Sequence, residues 1–276
     1  MKVQCQEQVE HLPLGVVAGD GPSLLGRDWL AKIKLDWSSI FSMRAPELQD
    51  ILDRHEMIFS PGLGKILGGE VRLHVDPDVQ PRFLTAHPVP YALWVNVEKE
   101  LDKLEEEGVI VPVQHSEWVA PIVPLLKGKG TVKICGDFKQ TANKATKTEV
   151  YPLPRIEDLF ASLAGGTVFS KLYLLHAYLQ QPLAKESQPF VTVNTHKDLC
   201  QYQRLPFGVA SAPAIFQRTM ESILQGLPHV CEYLDDIRIF GKSPQEHLRN
   251  LEEGLSRLEE AGLRLKKESA HSCCQR

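Results

Sequence analysis

No apolar run in this chain is long enough to span a membrane as a helix, and its N-terminus carries no signal-peptide pattern. Cysteine is sparse. The six are scattered, at positions 5, 135, 200, 231, 273 and 274, and the simple reading is a reduced intracellular protein, cytoplasmic or nuclear. His271 lies beside Cys273 and Cys274, but that spacing fits no zinc knuckle. An excess of positive charge is missing too: 31 Lys and Arg face 35 Asp and Glu, for a net charge of −4. Surfaces that track a phosphate backbone are usually basic, so any basic face here has to be local. The acids gather around 98–107 and 246–260, which leaves room for one. What is present suits a folded core. The chain has 276 residues, 43% hydrophobic and 24% charged, enough for two domains or one large one.

The stretch Val230–Phe240 reads VCEYLDDIRIF. Two short runs rich in β-formers, Val230–Leu234 and Ile237–Phe240, flank the adjacent carboxylates Asp235 and Asp236. Their length and composition predict a β-hairpin with both acids at its tip and its turn type open. Neighbouring carboxylates repel, and a tip tolerates them because water or a divalent cation can share their charge. A bare Asp-Asp reads as a solvated turn; the flanking residues change that reading.

Tyr233-Leu234-Asp235-Asp236 resembles the YxDD box of reverse transcriptases. Arg204-Leu205-Pro206-Phe207-Gly208-Val209-Ala210-Ser211-Ala212-Pro213 resembles the LPFGL-SAP segment of gypsy-type LTR retrotransposon polymerases. Lys133-Ile134-Cys135-Gly136-Asp137-Phe138 resembles their R-x-C-x-D-Y segment. Tyr151-Pro152-Leu153-Pro154 and Phe169-Ser170-Lys171-Leu172 match in order and spacing. The resemblance runs from about Pro88 to Lys267, and several ordered boxes are far more specific than any one. It implies an α+β fold, the fingers and palm of a right-hand polymerase, with a short β-rich protease remnant at the N-terminus.

On that resemblance, residues 1–37 are the end of a retropepsin-like protease. Leu12–Val17 reads as a strand, and Gly21–Leu30 resembles the turn that opens the last protease helix. The Asp-Thr/Ser-Gly of that family is missing, so this piece cannot hydrolyse peptides alone. Residues 38–90 form a connector, with an amphipathic helix over Glu47–Phe59, a glycine-rich loop over Pro61–Gly69 and a strand-like Val71–Val75. Residues 91–150 and 184–203 are assigned to the fingers. Val97, Leu101 and Leu104 recur at helical spacing before Gly108, and strands follow at Val109–Val113, Ile122–Leu126 and Val132–Cys135. Residues 151–183 and 204–268 are assigned to the palm. They hold a helix after Pro154, a central strand over Val168–Leu175, a helix over Ala212–Gln225, and a last helix. That last helix has Ser243 as N-cap, Pro244 at N1 and Glu246 completing a capping box. Leu248, Leu251, Leu255 and Leu258 form one face, and Leu263–Leu265 could add a strand. The tail 269–276 diverges, and thumb, RNase H and integrase regions are expected to be absent from this stretch.

The resemblance also implies the chemistry. RNA-directed DNA polymerisation is an in-line attack of a primer 3′-hydroxyl on a nucleotide α-phosphate, assisted by two Mg²⁺ (or Mn²⁺) ions about 3.5–4 Å apart. Template–primer and dNTP are the expected partners. Asp235 and Asp236 are the candidate catalytic and metal-binding residues. Candidate nucleotide contacts are Lys127 and Lys129 of a Gly-rich loop, Lys133 in place of a phosphate-holding arginine, Tyr178 under the incoming sugar, Phe207, Gly208 and Tyr233. The alternatives are a plain solvated hairpin for the lysines and a core tyrosine at Tyr178. Asp137 reads as structural.

The first-strand aspartate of the family pattern K-L-D-L-x-x-A-Y is replaced by Tyr173. A phenol has an ordinary pKa near 10 and brings no charge at neutral pH. No Asp or Glu lies between Thr167 and Ala184. Losing one charged ligand at a phosphoryl-transfer centre costs about 3–5 kcal/mol, roughly 10²–10⁴ in rate. Leu175 replaces a small polar residue and Arg238 an apolar one, which fits the same trend. Three readings stand: an impaired reverse transcriptase domain, a non-catalytic nucleic-acid-binding module, or a transposon fragment without molecular function. Ribonuclease H shares the polyprotein in this family, but no residue here supports that activity.

Overall fold

The computed structural model describes residues 2–5, 8–11, 46–128, 131–147, 151, 158, 163–266 and 273–275. The chain divides into two units, Met1–Arg44 and Ala45–Arg276. In the first, β1 (Lys2–Cys5) and β2 (Gln8–His11) form an antiparallel hairpin. The strand expected at Leu12–Val17 and the turn–helix over Gly21–Leu30 lie outside the described residues, as do most of the helix after Pro154 and Lys129.

The second unit holds two sheets. Strands β3 (Ile110–Val113), β4 (Ala120–Leu126), β5 (Val132–Gly136), β7 (Thr192–Asn194) and β8 (Leu199–Tyr202) form one, in the order β3-β8-β7-β4-β5. Only β4 and β7 run parallel among these pairs. Helix α2 (Tyr91–Glu106) lies against β5 and buries Val97, Leu101 and Leu104, the stripe its spacing predicts. Val109, Ile122, Ile134, Val193 and Tyr202 join them in one continuous core.

The other sheet has the order β11-β6-β10-β9, all antiparallel. It comprises β6 (Val168–Tyr173), β9 (Val230–Tyr233), β10 (Asp236–Gly241) and β11 (Cys273–Gln275). Helix α4 (Pro244–Glu260) covers β10 with Leu248, Leu251, Leu255 and Leu258, all buried. Its start follows the expected cap: Glu246 N–H donates to Ser243 Oγ at 3.2 Å, and the Glu246 carboxylate accepts from Lys242 N–H at 2.9 Å. Gly254 lets the helix close on the sheet, since a Cβ there would fall 2.6 Å from Ile239 Cδ1. Helix α3 (Ala212–Leu224) packs beside α4, as does α1 (Pro46–Arg54).

Several elements differ from the sequence expectation. The first helix ends at Arg54 and resumes as a 3-10 turn over Glu56–Phe59. Val71–Val75 is no strand but makes two isolated bridges, Val71 to Leu183 and Val75 to Thr146. The central strand stops at Tyr173. Beyond it Leu174 bridges Leu265, and Lys266 N–H donates to the Tyr173 carbonyl at 2.9 Å. The divergent tail supplies β11, paired with β6 from Cys273↔Ser170 to Gln275↔Val168.

Candidate active site

Antiparallel pairing sets this site. Ile237 and Ile239 alternate into the core beneath α4 with Leu172, while Asp236 before them and Arg238 between them are less buried and take the other face. Asp236 is therefore directly opposite Tyr173 on β6 and opposite Tyr233 on β9. Arg238 is opposite Lys171 and is half-buried on the same open face. The hairpin turn is Leu234–Asp235, so only Asp235 is at the tip; Asp236 is the first residue of β10. This corrects the expectation of two acids at the tip. Pairing Asp236 with Tyr233 leaves two residues for the turn, and such turns need positive φ. Leu234 supplies it at φ +56°, a conformation that costs a non-glycine residue about 1–2 kcal/mol.

One of the two carboxylates, Asp236, is already engaged. Lys171 Nζ is 2.8 Å from Asp236 Oδ2 and 4.4 Å above the centre of the Tyr173 ring. Hydrogen bonds to Asp236 and then to Tyr173 raise the Lys171 ammonium above its usual range. Asp235 is exposed at the turn, yet partial enclosure by its neighbours pushes its carboxyl up. The Lys133 and Lys266 charges pull it down, and Asp236 pushes it up further. Magnesium takes oxygen ligands in near-octahedral geometry. Among the described residues no group of three or more His, Cys, Asp or Glu could hold a metal ion. With a phenol at Tyr173 and an ammonium on Asp236, these residues do not fit a two-ion centre.

Four of the nucleotide candidates, Tyr178, Phe207, Lys133 and Gly208, come together. Tyr178, half-buried, has its ring centre 5.1 Å from Phe207 and 5.4 Å from Phe216. Burial, then the Asp235 charge, pushes its phenol up to about 12. Lys133 caps this stack with Nζ 2.9 Å over the Phe207 ring, and burial lowers its ammonium below the usual range. Gly208 turns the chain at φ +104°, where a Cβ would fall 2.1 Å from the Gly136 carbonyl oxygen. Asn143 clamps that turn. Its Nδ2 donates to Gly208 O at 2.7 Å, and its Oδ1 accepts from Ala210 N–H at 2.7 Å. Tyr233 is half-buried on the edge strand β9. Asp137 accepts from Lys139 N–H at 3.3 Å and caps a 3-10 turn, the structural role expected of it.

His176 reports the local charge. It precedes the 3-10 turn Ala177–Gln180 at φ +50°. Burial pushes its imidazole down to about 4, and Lys127, Lys103, Lys133 and Lys266 each push in the same direction. Lysines from α2, the β4–β5 hairpin and the segment after α4 thus all act on one imidazole, despite the net charge of −4. Sequence reasoning named Lys127 and Lys133 but missed Lys103, Lys266, His176, Asn143 and Lys171. It also missed two buried glutamines. Gln180 donates to the Leu175 carbonyl at 2.6 Å and to the Arg264 carbonyl at 2.9 Å. Gln217 receives the Leu234 N–H at 2.9 Å.

A carboxylate-bearing hairpin paired with a central strand, a helix-backed five-stranded sheet and an aromatic stack capped by Lys133 define a polymerase palm and fingers. Residues 127–274 match the family described as Reverse transcriptase (RNA-dependent DNA polymerase), and the chain belongs to that family. Such enzymes are generally divalent-metal dependent. The chain is 41% identical over 218 residues to uncharacterized protein K02A2.6 of Caenorhabditis elegans, covering 78% of this chain and 17% of that protein. It is 29% identical over 255 residues to the retrovirus-related Pol polyprotein from transposon opus of Drosophila melanogaster, covering 88% and 25%. It is 32% identical over 181 residues to the transposon Tf2-3 polyprotein of Schizosaccharomyces pombe, covering 64% and 13%. The chain thus spans a quarter or less of the length of these curated relatives. Among solved structures, the foamy viral protease-reverse transcriptase dRH in complex with dsDNA aligns with a TM-score of 0.75 at 21% identity, covering 92% of this chain and 46% of that one. The same enzyme with an RNA/DNA hybrid aligns with a TM-score of 0.75 at 20% identity, covering 92% and 35%. These likenesses establish the fold. Among the described residues no helix is long and apolar enough to cross a membrane.

Proposed function

We propose that this chain is the fingers and palm of a gypsy-type LTR retrotransposon reverse transcriptase that binds template–primer but transfers nucleotides weakly or not at all. The observation that carries this reading is Tyr173 facing Asp236, with Lys171 bonded to that carboxylate. In this reading the five-stranded sheet with α2 is the fingers, 91–150 and 184–203. The four-stranded sheet with α3 and α4 is the palm, 151–183 and 204–268. Asp235 and Asp236 are the surviving acids of the reaction centre. Lys127, Lys129 and Lys133 are assigned to the nucleotide phosphates, and Tyr178, Phe207, Gly208 and Tyr233 to the base and sugar. Residues 1–37 are the end of an aspartic protease, supported by the breadth of the match to the foamy viral protease-reverse transcriptase.

The second reading, a binding module on a polymerase fold, is favoured by the lysines that converge at His176. Both readings predict salt-dependent binding. Fluorescence anisotropy of an RNA–DNA hybrid in EDTA, run beside nucleotide incorporation in Mg²⁺, tests them. The expected result is binding that weakens steeply with salt. Replacing Lys127 and Lys133 by Met is expected to lower the log–log salt slope by about 1–2. Little or no incorporation is expected. Absence of hybrid binding at low salt by a cooperatively folded chain refutes both.

A further inference from the structure

The turn that carries Asp235 has support that its own residues do not supply. Gln217, on α3, is fully buried. Its Oε1 accepts from Leu234 N–H at 2.9 Å. Its Nε2 donates to Glu221 Oε1 at 3.0 Å and to the Glu232 carbonyl at 3.5 Å. Glu221, one helical turn further along α3, accepts from the Tyr151 hydroxyl through its other oxygen. Three side chains thus run in one hydrogen-bonded line from Tyr151 to the backbone of the turn. We propose that Gln217 and Glu221, anchored by Tyr151, are positioning residues that hold Leu234 left-handed and so fix where the Asp235 carboxylate stands.

The geometry leaves the turn few other means of support. Leu234 lacks the freedom of a glycine, and its N–H bonds to the Gln217 side chain. Helix α3 is a rigid platform. Ile215, Phe216, Met220 and Leu224 bury one side of it, so its polar line is held in register with the hairpin. The amide of Gln217 has both a donor and an acceptor, and the line uses both. A carboxylate at that position would face Glu221 with like charge; an apolar side chain would leave the Leu234 N–H without its acceptor. What the line does for catalysis rests on the proposed polymerase reading, whereas the line itself does not.

Amide hydrogen exchange on the full chain, resolved at Leu234, tests this without nucleotide or ion. Gln217→Met is expected to speed exchange at Leu234 about fivefold while the β6–β10 amides keep their rates. Gln217→Glu alone is expected to speed it as well. Combining Gln217→Glu with Glu221→Gln removes the like-charge pair and restores a donor between the two side chains while an acceptor stays under Leu234, and slow exchange is expected to return. Unchanged exchange at Leu234 in Gln217→Met overturns the proposal, and so does a double variant no slower than Gln217→Glu alone. The second comparison is nearly isosteric and carries the test if Gln217→Met does not fold. A chain that proves to bind no nucleic acid removes the polymerase reading and leaves this result intact.

Discussion

Tyr173→Asp, measured by thermal unfolding with and without Mn²⁺, shows what the tyrosine does to the carboxylates beside it. In EDTA the variant loses the contact of the Lys171 ammonium with the ring, 4.4 Å in the natural protein, worth about 0.5–1 kcal/mol. It also gains a carboxylate directly opposite Asp236 in the β6–β10 register, a like-charge pair worth about 0.2–1 kcal/mol of destabilisation. Lys171 offsets part of that by lying between the two acids. The net loss is about 1 kcal/mol, a fall of about 2–4 °C in midpoint for a chain of this size. Mn²⁺ at a hundredfold over its dissociation constant then returns about 2.7 kcal/mol, raising the variant by about 5–10 °C. The natural protein is expected to keep its midpoint across the same titration. If it rises as much as the variant, Asp235 and Asp236 suffice for the ion, Lys171 yields to it, and the reasoning from Tyr173 is wrong.

Other perturbations reach the turn, the core and the pH profile. Gly208→Ala forces a Cβ toward the Gly136 carbonyl at φ +104° and is expected to cost about 3 kcal/mol or more in urea unfolding; a change under about 0.5 kcal/mol contradicts the turn geometry. His247 is fully buried, neither ring nitrogen has a hydrogen-bond partner among the described residues, and burial pushes its pKa down to about 4. Between pH 6.5 and 4 the unfolded chain binds the extra proton, so stability falls as pH drops through that window, by up to about 3 kcal/mol. His247→Leu is expected to flatten part of that fall, His176 retaining its own share. Glu232 moves the opposite way, since burial, with Glu221 adding, raises its carboxyl to about 7. Its contribution is present below about pH 4.5 and lost as pH rises through 7, so Glu232→Gln is expected to raise the unfolding midpoint at pH 8 and not at pH 5.

What the sequence made legible was local. The α4 cap follows from Ser243 and Glu246 three residues apart, and the buried faces of α2 and α4 follow from leucine and valine spacing. The hairpin followed from two β-rich runs, but its turn was misplaced by one residue, because an Asp-Asp pair looks like a tip and a leucine does not look left-handed. The buried amides left no local sign. Asn143 reaches Gly208, 65 residues away, and Gln180 reaches Arg264, 84 residues away. The positive charge around His176 was hidden for the same reason: Lys103, Lys127, Lys133 and Lys266 are dispersed in a chain of negative net charge and act on that one ring only in the fold. Strand β11 was missed because a tail's pairing partner, here Ser170 back to Val168, is not written in its own residues.

The most direct measurement is primer extension on a poly(rA) template with Mg²⁺, comparing the natural protein with Tyr173→Asp. Extension by the variant at about 10²–10⁴ times the natural rate is the predicted result. Equal extension by both proteins would contradict the claim that Tyr173 silences this palm.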